Sequence, residues 1–363
     1  MKFAVIGLGR RTKHVLELFR ATDPEIKVTA LIDSNPEAAR ERLPEAERES
    51  AVFYDSVDEL MTRGRPDALF IGTRCDSHTP YAVEAAKYDV PLFLEKPVSI
   101  SMEQALALEQ AFERSRCKVM VSFPLRHSSL AIRAKELLGN NAVGRVDHIL
   151  AQNYVTYGNV YFDTWHRDFS VTQGLFLQKA THDLDYMMYL VGAPVVRVAA
   201  MATWGRIYRD TKTKVGNPDP NAIYLPEIGT PEEGMNEDSS SALLEFANGA
   251  RGVYTQVFHS PGLHRRGATI SGYRGALTFD WYEKQITVNN HLTPFIDEYK
   301  AGGADGHFGG DQRLVNSFIA MVRNGAESPA PIAAGLESVY ACLAAKESSE
   351  TGRFVQVRQL GSC

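Results

Sequence analysis

Over the first third of the chain, short runs rich in apolar residues alternate with stretches of helical spacing. Phe3 to Ile6, Val28 to Ile32, Ala68 to Ile71, Leu92 to Leu94 and Val119 to Ser122 have strand length and few charges. That is the pattern of strands buried on both faces of a parallel sheet. Between them, Tyr81 to Tyr88 and Met102 to Phe112 place apolar residues three and four apart. Strand and helix in alternation predict a doubly wound α/β sheet with right-handed crossovers.

Beyond Ser122 the period changes. Val146 to Tyr157, Val195 to Trp204, Ser241 to Phe246, Gly252 to Phe258, Ala268 to Ser271 and Ala276 to Trp281 read as longer strands joined by hairpins. Asn248-Gly249 between two of them suggests a type I′ turn, and Arg274-Gly275 a second turn. Ala180, Leu184, Met187 and Val191 form one apolar helical stripe that Gly192 would end. The expected fold is therefore α/β, with a doubly wound parallel sheet over 1–122. A second α/β domain over 123–363 would carry an open, mostly antiparallel sheet. Gly205 to Glu237 is polar, contains four prolines and shows no period, and reads equally as a lid or a surface insertion.

A length of 363 residues fits two or three domains. With 39 basic against 44 acidic residues, a net charge of -5, there is no electrostatic footprint for nucleic acid or an acidic membrane. Cys75, Cys117, Cys342 and Cys363 are too scattered for a disulfide framework or a zinc finger, which favours a reducing cytoplasm. No stretch reaches the roughly 18 apolar residues of a membrane span, and Gly7, Gly9, Arg10 and Arg11 interrupt the N-terminal run too soon for a signal peptide.

Gly7-Leu8-Gly9-Arg10-Arg11-Thr12 follows the first strand and opens a helix, where the pyrophosphate of a dinucleotide would meet helix N-terminal amides. Gly7 permits the tight turn and Gly9 the approach of phosphate. Thr12 stands where a third glycine is usual and would loosen the helix–strand contact. Asp33 ends the second strand, where a carboxylate accepts hydrogen bonds from a ribose and repels a 2′-phosphate, favouring NAD over NADP. Arg10, Arg11 and Lys13 complicate this: one of them turned toward the ribose could accept that phosphate, although a solvated helix start is the plainer reading.

Glu95-Lys96-Pro97 ends the fifth strand at the carboxyl edge of the sheet, where such folds bind ligands. An ammonium there can hydrogen-bond a substrate hydroxyl and stabilise its developing charge. Gln178 and His182 are four apart on the predicted helix, away from its apolar stripe. His182 could take a hydroxyl proton, tuned by Asp183 or Asp185. Trp165-His166-Arg167 offers a stacking face and donors for a sugar, and His307 with Asp311 could close over the site. No metal site is expected.

The glycine turn, Asp33, Ile71-Gly72-Thr73 with His78, Glu95-Lys96-Pro97 and the His182 helix, in this order, resemble the glucose-fructose oxidoreductase, inositol dehydrogenase and rhizopine-catabolism (Gfo/Idh/MocA) family. Ser122-Phe123 with Arg126, Gly144, Asn248-Gly249 and Gly272 to Gly275 extend the resemblance over nearly the whole chain. It implies a Rossmann domain, a C-terminal open-sheet domain, and hydride exchange between NAD and a secondary hydroxyl of a sugar or cyclitol. On it, Gly7, Gly9, Arg10, Arg11, Asp33, Thr73, His78, Glu95 and Lys96 would meet the dinucleotide. Lys96, Arg126, Trp165, Gln178 and His182 would meet substrate, with Lys96 and His182 catalytic, and the open sheet face would build a homodimer or homotetramer. Gln178 departs from the aspartate often found four residues before the histidine, and glutamine accepts no proton; Lys179 and Tyr186 are possible helpers. Redox-neutral chemistry, such as glycoside cleavage with NAD held throughout, and a non-catalytic sugar or nucleotide sensor are the alternatives.

Overall fold

Five parallel pairings join the strands β1 (Lys2–Ile6), β2 (Lys27–Ile32), β3 (Val52–Phe53), β4 (Ala68–Ile71), β5 (Leu92–Leu94) and β6 (Val119–Val121) into a sheet of order β3-β2-β1-β4-β5-β6. The strands are this apolar because helices cover both faces of such a sheet. The order reverses beside β1, so the chain turns leaving β1 and β4 lie side by side at the switch point, where open α/β sheets bind ligands. This computed structural model describes residues 1–158, 160–205, 236–260, 262–303 and 307–362, with the backbone alone at Asp163. The expectation for Gly205 to Glu237 lies almost entirely outside them.

The chain divides into two compact units, Met1–His127 with Gly309–Val339, and Ser128–Phe308 with the stretch from Tyr340 onward. The first unit is thus larger than the expected 1–122, because a distant segment completes its core. Helix Gly310–Asn324 buries Leu314, Val315, Phe318 and Met321 against Phe3, Phe19 and Phe93. Phe318 meets Phe3, Phe19 and Phe93 edge to face at 6.1, 5.7 and 5.4 Å, and truncating a phenylalanine so placed typically costs about 3–5 kcal/mol. The apolar face of this helix has helical spacing in the sequence, but nothing local says which sheet it covers.

In the second unit β7 (Val146–Tyr154), β8 (Val195–Trp204), β9 (Glu237–Phe246), β10 (Arg251–Val257), β11 (Arg265–Gly272), β12 (Gly275–Asp280), β13 (Gln285–Asn290), β14 (Ile296–Lys300) and β15 (Val355–Gln356) form a sheet of order β14-β13-β12-β11-β7-β10-β9-β8-β15. Every pairing is antiparallel except β7 with β10. The hairpin at Asn248-Gly249 is not type I′. Phe246 N–H donates to Ala250 and Gly249 N–H to Phe246, while only Gly249 takes positive φ, +89°. This is a three-residue loop closed by a glycine bulge, and the Asn248 side chain accepts from Ala250 N–H. Helix Thr181–Val191 ends at Gly192 with φ +75°, as its sequence indicates. It is not amphipathic in place, however: every residue from Thr181 to Val191 except Tyr189 is buried. Among the described residues no helix is long and apolar enough to cross a membrane.

Candidate active site

The glycine turn after β1 is built by close approach. Gly7 has φ +83°, and a Cβ there would lie 2.8 Å from three atoms of Thr73 in the turn after β4. Thr12, expected to loosen this contact, tightens it. Its fully buried hydroxyl donates to the Gly7 carbonyl at 2.8 Å and reaches the Gly72 carbonyl at 3.3 Å. Room for the threonine comes from Gly72, whose Cβ would sit 2.2 Å from Thr12 Oγ1. The glycine usually placed on the helix is here exchanged for one on the facing strand end.

Gly9, by contrast, has open space where a Cβ would be. It caps helix Arg10–Thr22, whose first turn has neither a side-chain cap nor an acidic residue, so the first amides and the positive end of the helix dipole are left for an anion. At the end of β2, Asp33 accepts from Leu8 N–H at 2.7 Å and from Asn35 N–H at 2.8 Å. The carboxylate therefore braces the glycine turn and remains partly exposed. Pyrophosphate at Gly9 and ribose at Asp33 fit this arrangement. Arg10 is exposed.

Arg11, Glu95 and His78, expected at the cofactor, serve the walls of this site. Arg11 donates to Glu95 at 3.1 Å and forks onto both oxygens of Asp311 at 2.9 and 2.5 Å, while Ser122 donates to Glu95 at 3.0 Å. Burial pulls the Arg11 guanidinium down, but the two carboxylates outweigh it and hold its pKa above the ordinary value. Asp311 is consequently engaged with Arg11, tying Gly309–Val339 to the glycine turn. His78 bridges the Pro97 and Thr73 carbonyls at 2.7 and 3.1 Å, and burial lowers its pKa. It fastens the turns leaving β4 and β5, fixing Lys96, which is partly exposed beside it. Arg126 is buried and donates to the Pro329 carbonyl at 3.0 Å.

In the second unit a π-helical turn, Phe176–Ala180, leads into helix Thr181–Val191 and buries Gln178, Lys179 and His182. Such insertions often mark functional sites. The His182 ring lies 6.0 Å from that of His307. The Asp183 carboxylate is held by four hydrogen bonds. It receives both Arg266 nitrogens at 2.9 and 3.0 Å, Asn153 at 3.0 Å and Tyr254 at 2.9 Å. Asp185 is fully buried. Trp165 stacks on His166 at 3.9 Å, and His166 meets Tyr161 edge on at 5.4 Å, an aromatic wall suited to a sugar face.

Sequence reasoning missed Tyr157 and Tyr161 as neighbours of Lys179. Lys179 donates to the Tyr157 hydroxyl at 2.6 Å and lies 4.8 and 5.6 Å from the Tyr157 and Tyr161 rings. The lysine charge brings the Tyr157 phenol down to about 8 against the opposing effect of burial. Tyrosines 22 and 18 residues upstream carry no periodic or motif signal that would join them to Lys179. No cluster of metal-binding side chains occurs among the described residues.

The model of the Gfo/Idh/MocA oxidoreductase family, NAD-binding Rossmann fold, matches residues 1–123, and that of the Gfo/Idh/MocA C-terminal domain matches residues 131–278. The oxidoreductase YteT of Bacillus subtilis (strain 168) is 29% identical over 51% of this chain, a match that spans only 45% of YteT. The myo-inositol 2-dehydrogenase of Thermotoga maritima is 23% identical over 99% of both chains. Levoglucosan dehydrogenase, solved with NADH and levoglucosan, superposes with a TM-score of 0.81 at 19% identity over 99% of this chain and 100% of its own.

Proposed function

The chain belongs to the Gfo/Idh/MocA oxidoreductase family, with an NAD-binding Rossmann domain, and from that premise we propose that it oxidises a secondary hydroxyl of a sugar, cyclitol or derivative. The observation that carries the cofactor half is the turn at Gly7 to Thr12, open over Gly9 at an uncapped helix end, with Asp33 standing where a ribose would be read. The substrate half draws on the relatives with matching full-length chains, which act on cyclitols and anhydrosugars, on the His182–His307 ring pair and on the Trp165–His166 stack.

When bound, the nicotinamide supplies the hydride acceptor. Lys96 donates to the hydroxyl oxygen and stabilises its developing negative charge. His182 accepts the hydroxyl proton, a role worth about 10²–10⁴ in rate. Asp33 repels a 2′-phosphate and sets the preference for NAD. The exposed row of Leu150 and Leu243 with neighbouring Met201, on one face of the second sheet, is the surface this reading assigns to a homodimer or homotetramer, with a cytoplasmic enzyme in view.

The test is Lys96→Met, measured for NAD binding and for turnover on sugars and cyclitols. At saturating NAD, kcat falls at least about 100-fold. Native turnover in the variant contradicts the assignment.

A further inference from the structure

Lys179 is 5% exposed, and an ammonium taken out of water costs several kcal/mol unless a partner carries compensating charge. No carboxylate among the described residues pairs with it. Asp183, four residues on, is saturated by Arg266. The partner at hydrogen-bond distance is the Tyr157 phenol, 2.6 Å away, with the Tyr157 and Tyr161 rings beside the ammonium. Lys179 immediately follows Gln178, which holds no ionisable proton, and precedes His182 by one helical turn.

We propose that Tyr157, held by Lys179, is a second proton acceptor for the hydroxyl being oxidised. This rests on the dehydrogenase reading above. The step starts from the tyrosinate: the substrate O–H bond breaks and its proton forms the Tyr157 Oη–H bond, with His182 on this route a hydrogen-bond partner of the same oxygen and not the acceptor of its proton. The C–H electron pair leaves with its hydrogen as hydride to the nicotinamide acceptor, and the carbonyl forms. Tyr157 then returns the proton to water, which reaches its ring because the residue is 46% exposed.

The electrostatics around the phenol agree. Lys179 lowers its pKa and so does Arg266, Asp183 opposes them, and the Tyr161 and Tyr282 phenols are the remaining neighbours that feel its charge. With a pKa of about 8, about a tenth of Tyr157 is ionised at pH 7, against about a thousandth for an ordinary tyrosine. Lys179 is a positioning residue in this arrangement, holding the phenol and favouring its anion.

Two measurements decide it. Titrating the full chain without substrate by tyrosinate absorbance shows one step near pH 8, which Tyr157→Phe removes, Lys179→Met moves toward 10, and Lys179→Arg retains. The pH profile of kcat/KM on a sugar substrate rises through the same step in the native enzyme. In Tyr157→Phe it loses that step and falls at least about 100-fold, with NAD affinity unchanged. A titration with no such step, or a Tyr157→Phe enzyme with native rate and profile, overturns the inference while leaving the dehydrogenase reading intact. Absence of turnover on every sugar and cyclitol overturns that reading, and the catalytic role of Tyr157 with it, whatever the titration shows.

Discussion

Replacing Gly72 by alanine tests whether the glycine turn is packed as its contacts say. The new methyl would lie 2.2 Å from Thr12 Oγ1, 3.3 Å from Phe70 Cε2 and 3.4 Å from Thr12 Cβ. The first of these is about 1 Å inside ordinary contact, so the hydroxyl must leave its 2.8 Å hydrogen bond to Gly7. Overpacking costs about 1–3 kcal/mol and the lost hydrogen bond about 1 kcal/mol, giving about 2–4 kcal/mol in all. Thr12→Ala alone removes the hydrogen bond, about 1 kcal/mol, and the buried Cγ2 methyl, about 1 kcal/mol more. In the double variant the clashing oxygen is gone, so Gly72→Ala adds less than about 1 kcal/mol to Thr12→Ala, a coupling of 1–3 kcal/mol of the kind seen between contacting residues. Urea unfolding followed by far-UV circular dichroism reads these values. A Gly72→Ala variant within about 0.5 kcal/mol of native, or strictly additive effects, refutes the packing argument.

Two further outcomes follow from buried charge. Asp183→Ala strands the Arg266 guanidinium, itself 4% exposed, and should cost about 3–5 kcal/mol by the same urea assay, read by tryptophan fluorescence. His127 is lowered to about 4, first by burial and then by Arg126 and Arg313. Between about pH 6.5 and 4 the unfolded chain binds a proton that the folded one refuses, so stability falls as pH falls through that window. From pH 7 to 5 the loss attributable to His127 is about 2 kcal/mol. His127→Gln removes that part of the slope, and an unchanged slope contradicts it. His78, lowered in the same direction, keeps a residual slope in the variant.

The parallel sheet was legible because β4 and β5 are buried on both faces, so their full apolar runs end where the strands end. β3, two residues long, and β14, exposed along nearly all its length, carry too little apolar signal to be seen. β13 alternates Ile286 and Val288 inward among polar neighbours, a pattern too short to stand out. Gly7, Gly9 and Asp33 were readable as a motif because the turn requires positive φ at one position and open space at another. The roles of Thr12 with Gly72, of Arg11 with Asp311, and of Lys179 with Tyr157 were not readable. Each depends on a pairing across 60, 300 or 22 residues, and neither composition nor period reports such distances. Asp183 shows the same limit: nothing near it in sequence announces Asn153, Tyr254 and Arg266, its hydrogen-bond partners from three strands.

The central claim, oxidation of a sugar or cyclitol hydroxyl by bound NAD, is tested most directly by mixing the protein with stoichiometric NAD and a panel of such compounds and following reduced-nicotinamide absorbance through one turnover. The account predicts a rise that persists, with the ketone recovered in equal amount. A trace that rises and decays as a cleaved product appears, or one that stays flat while NAD binding is confirmed, contradicts it.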